Sequence, residues 1–260
     1  MNFLDRFCPN RFDRALRDYG LSRCSMSGNA LCIGLKPHPE YNRVALETVP
    51  EAPTWVCFFE APEQADLIRA FVTGPQAHTV ERLIIGTSHD YDAKRSGYDM
   101  TNAIAALKGA RLPTLKRLVL GEMELLFNGH ALYGSLGDIA HIFDAAPQLE
   151  ELELCGQFSL KEPVRHEWLR TLSVSVFSDI GIGGGPLGQD TVSHLLLSHF
   201  PRLTTCFLHF DETPPDVRFS IPEEFFARPR FLAMQSFSID ALTPESETRM
   251  TEWMARRRLG

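Results

Sequence analysis

Gly183-Gly184-Gly185-Pro186-Leu187-Gly188 is the stretch of this chain most suggestive of chemistry, because it satisfies G-x-G-x-x-G. Where such a run leaves a strand and opens a helix, its backbone amides cradle a pyrophosphate and an acidic residue further on, here Asp211, takes the ribose. Two features weigh against that use. Phe177-Ser178-Asp179-Ile180 intervenes between the run and the strand before it, and Pro186 stiffens a turn whose amides should wrap the phosphates. We read the run as a loop between repeat elements and keep a nucleotide-binding enzyme as the rival.

The remaining chemistry-bearing residues are scattered. Of nine histidines, His194 and His199 are five apart and do not share a helical face, no H-E-x-x-H occurs, and His141 and His166 stand alone. Ser96-Gly97 and Ser135-Leu136-Gly137 lack the G-x-S-x-G elbow that presents a nucleophile. Thr87-Ser88-His89-Asp90-Tyr91-Asp92 is acidic and close to a strand end, and reads as a solvated turn rather than a cation site. No set of residues supplies a general acid, a base and a substrate site together. The expectation is a chain that is not an enzyme, with no cofactor, no metal and no catalytic residues.

Charge and composition point the same way. The 260 residues carry a formal charge of −7, with 44% hydrophobic and 23% charged residues, an ordinary balance for a folded domain. An acidic chain disfavours nucleic acid and anionic membrane and suits a basic protein partner. Arg256-Arg257-Arg258 answers the negative end of a C-terminal helix. The six cysteines form no C-x-x-C pair, and Cys57 and Cys206 sit where apolar side chains belong. Met1 to Arg6 lacks the apolar run of a secretory signal, and no segment is long enough to cross a bilayer. A monomer in the cytoplasm is expected.

The elements that would position a site come from one recurring phrase. Pro113-Thr114-Leu115-Lys116-Arg117-Leu118-Val119-Leu120 and Pro147-Gln148-Leu149-Glu150-Glu151-Leu152-Glu153-Leu154 share P-x-L-x-x-L-x-L. The same apolar spacing starts at 80, 115, 149, 169, 203 and 234, at intervals of 35, 34, 20, 34 and 31. A repeat of this period marks a solenoid, in which each unit buries its apolar face only against its neighbours. Parallel strands need a crossover of about a dozen residues or more, and helices supply it. Asp99, Ser135 and Asp190 are the expected starts of helices ending before Pro113, Pro147 and Pro201. The 20-residue unit is too short for one, so its return through Lys161-Glu162-Pro163 should be extended.

Residues 1–74 do not carry the phrase. Asn10 to Asp18 reads as a helix, Ala30 to Leu35, Arg43 to Glu47 and Thr54 to Phe59 as short strands, and Ala61 to Phe71 as a further helix. We expect an N-terminal α+β cap over 1–74 and a solenoid over 75–260 ending in a capping helix that carries Met250, Trp253 and Met254.

With these units in hand, the region from about 80 to 240 resembles the ribonuclease-inhibitor-like branch of leucine-rich-repeat proteins, particularly small bacterial members. The resemblance implies an α/β solenoid with a parallel sheet and convex helices, its leucines inward. It also implies a concave face made by Arg82, Ile84, Arg117, Val119, Glu151, Glu153, Thr171, Ser173, Thr205, Phe207, Ser236 and Ser238. The asparagine that often follows the strand in that family is replaced here by Gly121, Cys155 and Ser175. Arg82 and Arg117 followed by Glu151 and Glu153 would grade the face from basic to acidic, with cross-strand ion pairs as the alternative. Phe207 and His209 would add an apolar spot.

The expected function is protein–protein binding by a non-catalytic module, in one concrete form an inhibitor or immunity protein that occupies a toxin or enzyme. An accessory scaffold for a modification enzyme is the alternative.

Overall fold

A computed structural model describes residues 30–33, 54–59, 65–87, 98–122, 134–177, 187–211, 217–227 and 234–258. The helix expected at Asn10 to Asp18, the strand at Arg43 to Glu47, the acidic loop beyond Thr87 and Gly183 to Pro186 of the glycine run lie outside them. The chain is α/β. Among the described residues its main sheet has eight strands, β1 (Ala30–Ile33), β2 (Thr54–Phe59), β3 (Arg82–Thr87), β5 (Arg117–Glu122), β7 (Glu151–Cys155), β9 (Thr171–Phe177), β10 (Thr205–Asp211) and β11 (Ser236–Ile239), ordered as they occur in the chain. Every pairing is parallel, and the sheet is open, with β1 and β11 at its edges. Six of these strands are the six starts of the phrase. The region 1–74, expected as an N-terminal α+β cap, supplies the other two, with Trp55 in register with Leu83 and Cys57 with Ile85.

The register explains why the phrase recurs. Leu83, Leu118, Leu152, Leu172, Cys206 and Phe237 fall in one row across the sheet, and Ile85, Leu120, Leu154, Val174, Leu208 and Ile239 in the next. Side chains alternate across a strand, so both rows point to one face, where all but Phe237 and Ile239 are buried. The helices are α1 (Ala65–Thr73), α2 (Thr101–Ala105), α3 (Ala140–Ala145), α4 (Gln189–Leu197), α5 (Glu223–Ala227) and α6 (Pro244–Arg258). They contribute Ile68, Phe71, Ile104, Ile142, Val192, Leu195, Phe225 and Met250 to the same core.

The corners that precede β3, β5, β7, β9 and β10 are built the same way. The carbonyl of Glu81 accepts the N–H groups of both Lys116 and Arg117 (2.8 and 3.0 Å), and those of Lys116, Glu150, Arg170 and Thr204 do the same for the unit that follows. Otherwise unpaired backbone groups of the turn are thereby satisfied by the next unit.

A second sheet, β4 (Tyr98–Asp99), β6 (Gly134–Asp138) and β8 (Gln157–Ser159), runs alongside, also parallel. It corrects two expected helix starts. Asp99 lies in β4, and Met100 takes the cap position of α2 without a side-chain bond. Ser135 lies in β6, where its carbonyl accepts Met100 N–H (2.8 Å), and the first N–H of α3, from Ala140, goes to Asp138 Oδ1 (3.0 Å). Gly188, not Asp190, precedes α4. That helix stops at Leu197 because Ser198 leaves the helical conformation, donating its hydroxyl to the His194 carbonyl (2.7 Å) and accepting Val164 N–H (3.0 Å). The short unit returns from Leu160 to Arg170 without a helix, and α6 carries Met250, Trp253 and Met254 toward the core, both as expected.

Candidate functional site

The face of the main sheet opposite the helices is where the sequence-predicted binding residues gather. One row runs Arg82, Arg117, Glu151, Thr171, Thr205, Ser236 and a second runs Ile84, Val119, Glu153, Ser173, Phe207, Ser238. A third row sets Cys155 beside Ser175 and Ser175 beside His209. All twelve predicted partner-binding residues thus share one face, and the alternation of the strands is what puts them there.

Their surroundings differ from expectation in two respects. Val119 is 1% exposed, so it is no contact residue. Its in-register neighbours are Ile84 and Glu153, and the diagonal from Arg117 to Glu153 passes beside it. The predicted gradient from basic to acidic is also folded in on itself, because Arg117 pairs with both carboxylates. Its Nε lies 3.5 Å from Glu151 Oε2 and its Nη2 3.6 Å from Glu153 Oε2. The cross-strand pairing weighed against the gradient is the arrangement present. One residue earlier in each unit, Lys116 pairs with Glu81 (3.5 Å) and Arg170 with Glu150 (3.4 Å) at the strand starts.

Toward the C-terminal edge the face changes character. Thr171, Ser173 and Ser175 on β9 and Ser236 and Ser238 on β11 surround Phe207, which is 42% exposed. Asp240, a residue the sequence analysis missed, follows β11, donates its N–H to the Leu208 carbonyl (3.1 Å) and bonds His209 Nδ1 through Oδ2. Only the register between units separated by 31 residues brings that pair together, and no local pattern announces it.

Ser175 and His209 therefore occupy one row of neighbouring strands, with Asp240 just beyond the end of β11. This row lies within the ladder, where the strand N–H groups serve neighbouring strands.

Three other described histidines serve the scaffold. His141 Nε2 bonds the Ile104 carbonyl (2.9 Å), and His194 Nδ1 the Leu160 carbonyl (2.8 Å), each in the preceding unit. His166 is buried. Its Nδ1 accepts Leu169 N–H (3.2 Å), which makes Nε2 the nitrogen that donates to the Ala146 carbonyl (2.9 Å) and fixes the neutral tautomer. Burial lowers its pKa below the usual imidazole value, the hydrogen bond to Ala146 and the nearby Glu167 opposing only in part.

On the helix side, a groove of about 600 Å³ runs over α3 between α2 and the helix-free return, with Lys108, His141, Asp144, Glu162 and Arg165 among its lining residues. Trp168, the other exposed large apolar residue described, has Arg202 stacked 3.8 Å above its ring. No described helix is long and apolar enough to cross a membrane.

No protein-family model matches the chain, and no curated protein matches it. Among solved structures it is similar to a protein from Bacteroides fragilis, at 17% identity and a TM-score of 0.47. The match covers 76% of this chain and 54% of that one, so the chain spans about half the length of that protein.

Proposed function

We propose that this chain is a non-catalytic protein-binding module, a leucine-rich-repeat-like solenoid of the ribonuclease-inhibitor-like kind that works as a cytoplasmic monomer and grips a partner protein with the open face of its parallel sheet. The observation that carries the reading is the segregation of that sheet: rows of buried aliphatic residues on one side, and on the other, in register, rows of largely accessible side chains with a large aromatic among them. Aromatic residues in such positions anchor protein interfaces out of proportion to their number. The commitment of His141, His166 and His194 to carbonyls of neighbouring units further favours a scaffold over an active site.

Affinity capture from the native cell, followed by calorimetry on the purified pair, tests the proposal. A 1:1 complex that is lost with Phe207→Asp and weakened with Thr171→Arg is the expected result. A complex indifferent to both would refute use of this face. Assay of the captured partner then separates the two forms of the function, since an inhibitor or immunity protein blocks its partner and a scaffold assists it.

A further inference from the structure

We infer that the outer edge of β11 is a second contact surface, which takes an extended segment of a protein partner as an added parallel strand. It is distinct from the open face and does not depend on it.

Phe237 and Ile239 are open twice over. From β3 to β10 every member of the two core rows is buried, but on β11 Phe237 and Ile239 are only partly so, and among the described residues no strand follows them. Their backbone is turned the same way. In a parallel ladder a residue that bonds one neighbouring strand leaves the next residue facing the other. Ser236 N–H goes to the Thr204 carbonyl (3.0 Å) and Asp240 N–H to the Leu208 carbonyl (3.1 Å), so Ser236, Ser238 and Asp240 serve β10. The N–H and C=O groups of Phe237 and Ile239 therefore face away from β10, just as those of Cys206 and Leu208, in the same rows, face β11.

The corner before β11 is open in the same sense. The carbonyls of Glu81, Lys116, Glu150, Arg170 and Thr204 each accept two N–H groups from the next unit, and the one next in line, of Gln235, accepts none among the described residues. Edge strands are commonly blunted by lysine, proline or a bulge. Ser236-Phe237-Ser238-Ile239 has none of these, and its register with β10 is unbroken.

These groups define their occupant. The outward donors and acceptors recur at every second residue, a spacing that an extended backbone matches and single side chains do not. The Gln235 carbonyl, placed like the five before it, sets the parallel direction. Apolar residues at alternate positions of the added segment, beside Phe237 and Ile239, would extend both core rows by one rung.

The probe is a synthetic peptide with the sequence of Pro113 to Gly121, the phrase in its clearest form, added to the full chain. Its Leu118 and Leu120 would lie beside Phe237 and Ile239. Amide exchange followed by NMR should find the Phe237 and Ile239 N–H groups fast in the free chain and slowed by the peptide, with Ser238 protected in both. N-methylation at the peptide's Val119, whose N–H would face β11, should weaken binding about tenfold or more, and N-methylation at its Leu118 should not. Ile239→Pro, which removes an outward donor and spares the bonds to β10, should weaken it to the same degree. Thermal melts check that this variant folds, and the exchange measurement on the unaltered chain decides the matter if it does not. Failure of the peptide to bind, binding without protection of Phe237 and Ile239, or indifference to the position of the methyl group would overturn the inference. None of these bears on the open face, whose own mark is loss of the captured partner with Phe207→Asp.

Discussion

A Cβ placed on Gly121 would lie 1.8 Å from the carbonyl oxygen of Cys155 on the neighbouring strand. Gly121 is the extra residue of β5, where the pairing with β3 steps from Ile85 opposite Leu120 to Gly86 opposite Glu122, and it takes φ +85°. Both its conformation and its closeness to β7 demand glycine. Gly121→Ala should destabilise the chain by about 3 kcal/mol or more, read by urea denaturation. Gly188, with ordinary φ and open space around it at the start of α4, is the control. Gly188→Ser should gain a few tenths of a kcal/mol from the added cap.

His166 gives the fold a pH dependence of known sign. Its folded pKa lies below its unfolded value, about 6.5 for an ordinary imidazole, so the unfolded chain binds the proton more readily. The stabilisation is complete above that unfolded value and is lost as pH falls from it through the lower folded pKa. Denaturation series for the wild type and His166→Gln should therefore show a difference in stability that shrinks as pH drops from neutral into the acid range. A constant difference would mean that folding leaves the His166 pKa unchanged, and one that grows as pH falls would mean that the folded state favours the protonated ring.

Cys206 stands in a core row of the sheet, and burial pushes its thiol up to about 12. Only the thiolate attacks alkylating reagents. Mass spectrometry after iodoacetamide should find Cys206 unmodified in the native chain at neutral pH and modified in denaturant. Labelling under native conditions would show that β10 opens.

Phe225 joins three elements at the C-terminal end. Its fully buried ring contacts Phe237 on β11 and Trp253 on α6, with centroids 5.5 and 5.7 Å away, and Phe226 packs edge-on at 5.4 Å. Phe225→Ala should cost about 3–5 kcal/mol, measured by denaturation. The ion pair between Arg249 and Glu223 joins α6 to α5 nearby, but at the surface. Removing it by Glu223→Gln should cost less than about 1 kcal/mol.

The L-x-x-L-x-L spacing was enough to read six strands and the face each side chain takes, because alternation is local and burial of one face enforces it. The β4, β6 and β8 sheet was not legible. Its strands are two to five residues long, and the spacing of Leu136, Ile139, Ala140 and Phe143 that suggests one helix comes from the end of β6 followed by the short α3. The binding face was legible as a set of residues but not as a field of charge. Arg117 meets Glu151 and Glu153 only after units some 34 residues apart come into register, and Val119 is buried on a face where the alternation of the strand alone gives no sign of how closely the neighbouring side chains pack. For the same reason Asp240 escaped notice beside His209.

The paired N–H bonds onto each corner carbonyl from Glu81 to Thr204 link a unit only to the one after it. Cooperation of that kind passes hand to hand. Fraying should then begin at the two outermost strands and advance inward, giving amide exchange that slows step by step toward β5, β7 and β9 instead of a single protected block. The helix-free return after β8 falls inside that slow zone, so its own amides would report whether a rung with no helix behind it is held by its neighbours alone.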